Sequence, residues 1–396
     1  MTIVGLSHQK IPGWQCSTIA GSAEIRNNLR FPIKKEDRDA MAGGFPYYGP
    51  TGELARINEF RIEGRHMLIG EDGDHFLKFR EKQMTLLVEG KFNVNNHAHL
   101  VRGTVGCKTE WLFYYLNHAD LTPFLTRQGV GRFKLTKETL LKIPIQVPPV
   151  REQNTIVSIL TTWDEALEKF DALIQAKEQR KKALMQQLLH QASGGDEVGH
   201  SRHRLGEVLQ RVTRKNKGGN QNVLTISAQH GLVNQKDYFN RSVAAADLSG
   251  YYLLKKGEFA YNRSSAKGYP FGAIKQLESY EEGVMSTLYL CFGIKVKEAV
   301  SASYLCHYFE SGLLNRGLQS IAKEGARAHG LLNVTAGEFF DLDIFLPRIE
   351  QQTKIAAVLD TCDKELRVLS KKRDAIDRQK RGLMQRLLTG KVRVKS

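Results

Sequence analysis

The chain has 396 residues, which exceeds one ordinary core and suits two to four modules. Hydrophobic residues make up 41% and charged residues 25%, a balance that excludes an extended disordered chain. The 58 Lys and Arg residues outnumber the 42 Asp and Glu residues, and the net charge of +16 favours a polyanionic partner such as nucleic acid.

Neither a membrane span nor a secretion signal is expected. No apolar run reaches the length of about 18 residues that a spanning helix needs. The N-terminal segment lacks a basic flank followed by a long apolar stretch. The five cysteines are odd in number and widely scattered, which predicts free thiols in a reducing cytoplasm.

Residues 1–146 form a first predicted module. Short apolar runs alternate there with glycine, asparagine and aspartate, a pattern typical of strands and turns. The predicted strands include 66–70, 84–88 and 92–94, and the predicted helices are 110–116 and 121–125. The module is therefore predicted to be α+β.

The next segment, 147–191, occurs twice. It aligns without a gap to 346–390 at a constant offset of 199 residues, and 14 of the 45 aligned positions are identical. A repeat of half the chain implies two copies of one unit, which a pseudo-twofold axis can relate. Duplex DNA is the commonest partner with approximate twofold symmetry.

Both copies of the repeat predict a long helix. Apolar or seam positions recur in alternating steps of four and three for nearly five heptads, which is a coiled-coil pattern. We predict that the two helices pair antiparallel, although Thr161-Thr162 and Asp360-Thr361 could start a new helix in each copy. The predicted interface is formed by Ile156, Leu160, Trp163, Leu167, Phe170, Leu184, Leu188, Ile355, Leu359, Leu366, Leu369, Leu383 and Leu387.

Basic residues interrupt this seam. Lys181 and Lys380 occupy equivalent positions, and Lys177 and Arg373 also lie on the seam. Polar seam residues can fix register and orientation. Alternatively, the lysine stems are buried while the ammonium groups reach water, and we favour this second interpretation.

The second module is predicted to span 203–345, after a flexible linker at 192–202. It is also strand-rich, and its helices come late, as in the first module. The predicted strands include 222–227, 258–262 and 286–292, and the predicted helices are 303–310 and 313–321. The C-terminal helical region then occupies 346–396.

The sequence contains no convincing active site. It lacks the glycine-rich ATP motif, and Gly129-Val-Gly131 lacks the third glycine of a dinucleotide fingerprint. The single Pro-Pro pair has the wrong flanks for an adenine methyltransferase. His97 and His99 have the spacing of metal ligands on one strand face, but no third ligand is evident, and polar strand or loop residues are favoured.

Several polar loops have the composition of DNA-reading segments. Asparagine can pair bidentately with adenine and arginine with guanine, while basic residues hold phosphates. Each loop alone is compatible with an ordinary surface loop, and the DNA interpretation rests on their occurrence once in each repeated half. The candidates are Tyr47, Tyr48, Thr51, Asn95, Asn96, His97, Arg214, Lys215, Asn262, Arg263, Ser264, Lys267 and Arg327.

Two motifs, each present twice, carry a family resemblance. They are Pro148-Pro-Val-Arg-Glu-Gln153 and Leu184-Met-Gln-Gln-Leu-Leu189, with second copies at 346–351 and 383–391. Over essentially its whole length the chain resembles the specificity (S) subunit of type I restriction-modification systems. The second copy departs from the pattern where Arg348 replaces the second proline, which should alter only the helix start.

The resemblance implies two α+β target-recognition domains, each reading one half of a bipartite sequence in double-stranded DNA. Two antiparallel spacer helices would set the gap and dock two modification (M) subunits. S-adenosylmethionine, ATP and Mg would be bound by those subunits and by restriction (R) subunits, and this cytoplasmic chain would be non-catalytic. The alternatives are a protein-binding coiled-coil scaffold and a stand-alone DNA-modifying enzyme.

Overall fold

The structure is a computed structural model that describes residues 11–394, except 118, 128–132, 192–199, 228–229, 240–244, 246, 267 and 325–331. The chain divides into two compact units. Unit 1 comprises Met1–Asp171 and Lys371–Ser396, and unit 2 comprises Ala172–Ser370. Each unit therefore contains one module together with a part of each long helix.

Unit 1 contains twelve described strands and, among the described residues, the beginning of the first long helix. The strands are β1 (Gln15–Thr18), β2 (Ala23–Ile25), β3 (Ala42–Gly49), β4 (Gly52–Ile57), β5 (Ile62–Glu63), β6 (His66–Gly70), β7 (Thr85–Val88), β8 (Lys91–Val94), β9 (Ala98–Gly103), β10 (Thr126–Arg127), β11 (Phe133–Lys134) and β12 (Pro144–Val147). The helices are α1 (Ile19–Ser22), α2 (Lys35–Ala40), α3 (Thr109–Asn117), α4 (Lys137–Leu141) and α5 (Val150–Gln191).

Two four-stranded sheets form the body of unit 1. The first has the order β2-β9-β6-β7 and is antiparallel throughout. The second has the order β4-β3-β8-β5, with β3 and β8 parallel. Helix α3 packs on the first sheet, and its fully buried Trp111 lies in the main core with Met67 and Val101.

Unit 2 repeats this order of elements. Its strands are β13 (His200–Arg204), β14 (Leu209–Arg211), β15 (Leu224–Ser227), β16 (Gly231–Asn234), β17 (Tyr252–Lys255), β18 (Phe259–Asn262), β19 (Ala273–Gln276), β20 (Glu282–Met285), β21 (Leu290–Ile294), β22 (Lys323–Glu324), β23 (Leu332–Asn333) and β24 (Asp343–Pro347). The helices are α6 (Leu205–Val208), α7 (Gln235–Phe239), α8 (Ala302–Glu310), α9 (Asn315–Ile321), α10 (Ala336–Phe340) and α11 (Ile349–Leu387).

The main sheets of the two units share one topology. The sheet of unit 2 has the order β14-β21-β18-β19, and that of unit 1 has the order β2-β9-β6-β7. In both sheets, the strand that comes last in the chain lies between the strand that comes first and the strand that comes second. The outer pair β1–β12 also has its counterpart in β13–β24. This agreement confirms the prediction of two similar α+β modules.

Both long helices are continuous. The hydroxyl of Thr162 donates to the carbonyl of Ser158 at 3.0 Å, and the hydroxyl of Thr361 donates to the carbonyl of Ala357 at 2.7 Å. These threonines bond backward within their own helix and do not cap a new one. Neither helix is interrupted at the positions where the sequence allowed a new helix to start.

The helices pair antiparallel within each unit. In unit 1, Asp164 contacts Lys380 and Asp171 contacts Arg373. In unit 2, Lys177 contacts Glu365 and Lys181 contacts Asp363. In both units the residue number rises along α5 as it falls along α11, which confirms the predicted direction.

Three local predictions need correction. The predicted helix 121–125 is only a 3₁₀ turn, Thr122–Phe124, in which the Leu125 amide donates to the carbonyl of Thr122, three residues back, at 3.3 Å. Residues 200–202, assigned to the linker, belong to β13 because they pair with β24. Residues 286–289, assigned to a strand, form a turn in which the Tyr289 amide donates to the Ser286 carbonyl at 3.1 Å.

Candidate DNA-reading loops and helix-pairing sites

A buried glutamine fixes the start of each long helix. Gln153 is 0% exposed; its Oε1 accepts from the Lys108 amide at 2.9 Å, and its Nε2 donates to the carbonyls of Gly106 and Pro148, both at 2.8 Å. Gln352 is equally buried and makes the equivalent three bonds in unit 2, to Ser301, Ala299 and Pro347. Each glutamine therefore ties its helix to the loop before α3 or α8.

In unit 1 the helix pair is closed by a buried ion pair. Lys380 is 4% exposed, and its ammonium group contacts a carboxylate oxygen of Asp164. The Tyr114 hydroxyl donates to the other oxygen at 2.7 Å, and the ammonium nitrogen lies 5.8 Å from the tyrosine ring centroid. Burial, followed by the Asp164 carboxylate, raises the pKa of Tyr114.

In unit 2 the same two repeat positions form the equivalent pair. Lys181 contacts Asp363, 199 residues from Lys380 and Asp164 respectively. Here a second carboxylate, Asp360, accepts hydrogen bonds at 2.8 Å from Ser303 and from the buried His307 ring. Burial alone would raise the pKa of Asp360, but those two hydrogen bonds lower it overall.

The ion pairs decide between the two interpretations of the seam lysines. The Lys380 side chain is 6% exposed and the Lys181 side chain 15%, and both ammonium groups lie on carboxylates. The preferred interpretation, in which the ammonium groups reach water, is therefore wrong for Lys380. A lysine on each helix and an aspartate on the other specify one register.

The predicted interface residues differ in how deeply they are buried. Ile156 and Leu160 lie in the main core of unit 1, and Ile355 and Leu359 lie in that of unit 2. Leu167 and Leu387 are also buried. The remaining predicted interface residues are partly buried, namely Trp163, Phe170, Leu184, Leu188, Leu366, Leu369 and Leu383.

The candidate loop of unit 1 joins β8 to β9, and we call residues 95–97 the Asn96 loop. Asn95 is buried, and its Oδ1 accepts from the His97 amide at 2.9 Å. Asn96 and His97 are exposed, and the His97 ring lies 2.9 Å from Asp72. The structure thus presents two of the predicted reading residues and uses Asn95 to shape the turn.

A charged network lies behind the Asn96 loop. Arg30 donates to the Asn96 carbonyl at 3.0 Å and to Glu71 at 2.6 Å. Lys134 lies 3.2 Å from Glu71. Burial raises the pKa of the Glu71 carboxyl, but the hydrogen bonds from Arg30 and Lys134 lower it overall.

The aromatic candidates of unit 1 divide by burial. Tyr47 is 0% exposed, and its hydroxyl donates to the Phe31 carbonyl at 2.7 Å and accepts from the Ile33 amide at 3.0 Å. It is therefore a core residue, which corrects its prediction as a DNA contact. Tyr48 is partly buried on β3, and Thr51 is exposed in the turn before β4.

In unit 2 the candidate Asn262 ends β18, Arg263 and Ser264 follow it, and all three are partly buried. Arg263 donates to the Leu288 carbonyl through Nη2 at 2.7 Å and through Nε at 3.2 Å, and to the Val334 carbonyl at 2.9 Å. Arg263 therefore holds the turn 286–289, which we call the Leu288 loop.

The predicted phosphate contacts of unit 2 already have protein partners. Arg214 binds Glu258 at 3.0 and 3.2 Å, and Lys215 donates to the Gly250 carbonyl at 2.7 Å. A phosphate would have to compete with these partners. Lys267 and Arg327, two further basic candidates of unit 2, lie outside the described residues.

His97 and His99 have separate protein partners in the structure. His99 is 1% exposed; its Nε2 lies 2.7 Å from the Leu135 carbonyl and its Nδ1 lies 2.8 Å from the Asn27 amide. Across the described ranges, no three His, Cys, Asp or Glu side chains come together as metal ligands would. Nor does any described helix have the length and apolarity to cross a bilayer.

Comparison with known proteins identifies the first module. Residues 12–178 match the family model of the type I restriction modification DNA specificity domain. A putative type I restriction enzyme specificity subunit of Haemophilus influenzae is 39% identical over 138 residues, which cover 35% of this chain and 34% of that protein. The MjaVIII specificity subunit of Methanocaldococcus jannaschii is 23% identical, covering 72% of this chain and 71% of that one.

Solved structures extend the likeness to the whole fold. The S subunit of a type I restriction-modification system from M. genitalium has a TM-score of 0.58 and 12% identity, covering 98% of this chain and 99% of that one. A chain from a structure of type I system assembly has a TM-score of 0.50 and 15% identity, covering 97% and 100%.

Residues 12–178 therefore match a DNA specificity domain of the type I restriction-modification class. The chain is similar to type I specificity subunits, which is the resemblance that the repeated motifs indicated. The match to the Haemophilus protein spans only about a third of that protein's length.

Sequence reasoning missed the residues that position the site. The sequence did not indicate the partners of Arg30, Glu71, Glu152 and Arg393, because those partners lie far away along the chain. Gln153 and Gln352 did give one, since they are identical at equivalent positions of the repeat.

Proposed function

We propose that this chain is the non-catalytic subunit that reads a bipartite DNA sequence for a type I restriction-modification complex. The observation that carries the proposal is the match of residues 12–178 to the DNA specificity domain, together with the recurrence of the same sheet order in unit 2. Two domains of one fold suit two half-sites, and the net charge of +16 suits DNA.

The long helices serve two further purposes in this proposal. Each long helix is continuous, and its residues are divided between the two units. In α5 the division follows Asp171, and in α11 it follows Ser370. Helices of fixed length and register can set the gap between half-sites and offer a surface to two modification subunits. The restriction subunits join that assembly, in the cytoplasm.

The chemistry then belongs to the partner subunits. Methyl transfer to adenine requires S-adenosylmethionine, and DNA translocation and cleavage require ATP and Mg. Neither a phosphate-binding glycine loop nor a methyltransferase motif occurs in this sequence. This chain would contribute DNA selection, subunit docking and spacing.

Mapping methylated adenines in cells with and without this chain tests the proposal. One bipartite motif should lose its methylation when the chain is absent and regain it when the chain is restored. A methylation pattern that does not change would contradict DNA selection and favour the protein-binding scaffold.

A second assay addresses the enzyme alternative. The purified chain, incubated with DNA, magnesium and labelled methyl donor, should transfer no methyl group and cut no strand. Turnover by the chain alone, reproduced in an independently purified sample, would overturn the non-catalytic assignment.

A further inference from the structure

In each unit, a tight loop comes immediately before the strand that stands second in the order of the main sheet. The Asn96 loop precedes β9, and the Leu288 loop precedes β21. In each case an arginine donates to a main-chain carbonyl of the loop, Arg30 to Asn96 at 3.0 Å and Arg263 to Leu288 at 2.7 Å. Arg30 follows β2 and Arg263 follows β18, so the two units achieve the same contact from different places in the fold.

The Leu288 loop is held by its main chain. Both Nε and Nη2 of Arg263 bind the Leu288 carbonyl, and Nη1 binds the Val334 carbonyl. The Tyr289 amide closes the turn on Ser286. These bonds do not involve the Leu288 side chain, so the conformation of the loop does not depend on it.

The Leu288 side chain nevertheless projects into solvent. It is 70% exposed, so it contributes little apolar burial to unit 2. Because β18 pairs with β21, with Tyr261 opposite Leu290, the polar residues Asn262 and Ser264 lie at the same end of these two strands as the Leu288 loop. Leu288 is thus an apolar side chain on a rigid turn beside groups able to read bases.

We infer that Leu288 determines specificity by contacting the C5-methyl group of a thymine in the half-site read by the second domain. This inference rests on the proposed function. The thymine methyl is the apolar group that base pairs display in the major groove, and it distinguishes T·A from the other pairs. The exposed tip of the Asn96 loop carries an amide and an imidazole, so its equivalent contacts are polar.

The test uses the full chain in its complex with the modification subunits and the half-site found by methylation mapping. Each thymine of the second half-site is replaced in turn by uracil, which lacks only the methyl group. The wild-type complex should bind one of these duplexes about three- to fivefold more weakly, the effect of one buried methyl group. Leu288→Ala should bind that duplex and its thymine counterpart equally.

Leu87→Ala is the matched control, since Leu87 is also an exposed leucine, at 38%, but lies on β7 of unit 1. It should keep the wild-type preference for thymine. The inference is overturned if the half-site has no T·A pair, if every uracil duplex binds like its thymine counterpart, or if Leu288→Ala keeps the preference.

A scrambled second half-site separates the two levels of the proposal. Equal binding of scrambled and native duplexes by the wild-type complex would mean that the proposed function itself has failed. If the complex binds the scrambled duplex much more weakly but does not respond to uracil, the proposed function is supported and the role of Leu288 is contradicted.

Discussion

At the residue scale, the buried lysines carry the clearest energetic consequence. The Lys380 side chain is 6% exposed and faces Asp164, whereas the equivalent Lys181 is 15% exposed and faces Asp363. Removing one member of a buried pair leaves the other charge without compensation in a site that has lost water. The cost therefore rises with burial, and the two equivalent positions provide an internal comparison.

We predict that Lys380→Met destabilises unit 1 by about 2 kcal/mol and that Lys181→Met destabilises unit 2 by about 1 kcal/mol. Hydrogen exchange of the amides in α3 and α8 reports each unit separately. Adding Asp164→Asn to Lys380→Met should recover part of the loss, because the uncompensated carboxylate is then gone. Fully additive losses would contradict a direct ion pair.

His99 provides a prediction about pH. Its Nε2 donates to the Leu135 carbonyl and its Nδ1 accepts from Asn27, which requires the neutral ring. Burial lowers the pKa of His99, despite the nearby Glu71. The unfolded chain therefore takes up this proton first, and the stability that His99 contributes is present at neutral pH and lost as the pH falls below the ordinary histidine value of about 6.5.

Denaturation midpoints of unit 1 should thus fall between about pH 7 and pH 5 in the wild type. His99→Gln, which cannot titrate, should show a smaller change over the same range, although it is less stable at neutral pH. Equal slopes for the two proteins would show that another group is responsible.

At the element scale, the C-terminal end of α11 completes the core of unit 1. Met384, Leu387 and Leu388 are buried in the cluster that contains Trp111. Beyond the helix, Arg393 binds the buried carboxylate of Glu152 at 2.7 and 2.8 Å. The last turns of the chain are therefore part of the first domain's fold and not only of the helix pair.

Leu388→Ala should destabilise unit 1 by about 3 kcal/mol, because a fully buried leucine leaves a cavity. Leu77→Ala is the matched control in unit 1, where the leucine is 50% exposed, and it should cost less than about 0.5 kcal/mol. Chemical denaturation followed by hydrogen exchange of α3 measures both. A small loss for Leu388→Ala would contradict its place in the core.

The elements were predictable where local pattern decides them. The periodic segments located α5, α11 and α8, because apolar spacing reports which face is buried; α11 ends at Leu387, before the end of the predicted helical region 346–396. Contacts between distant residues were not predictable. Tyr47 was predicted to lie in an exposed aromatic loop, yet it is on β3, and its hydroxyl is satisfied by Phe31 and Ile33 in the core. Arg214 likewise forms an ion pair with Glu258, 44 residues away along the chain.

At the scale of the whole molecule, the proposed gap between half-sites depends on helix length. Seven residues added to each helix lengthen the paired stretch by about 10 Å, at about 1.5 Å per residue. The insertions belong between the ion pairs of the two units, that is between Asp171 and Lys177 in α5 and between Glu365 and Arg373 in α11. A heptad preserves the apolar stripe of each helix.

The preferred gap should then increase by about three base pairs, at about 3.4 Å each, while both half-site sequences stay the same. The control carries the same seven residues in the predicted linker at 192–199 and should keep the original gap. An unchanged gap in the helix variant would argue against the helices as the element that sets spacing.

The central claim is that each domain reads its own half of the target. The most direct measurement replaces residues 1–146 by the corresponding module of a related specificity subunit and maps methylated adenines at single-base resolution. One half-site should change to that of the donor, while the other half-site and the gap remain. Loss or change of both half-sites in a complex that still methylates DNA, or change of neither, would contradict the claim.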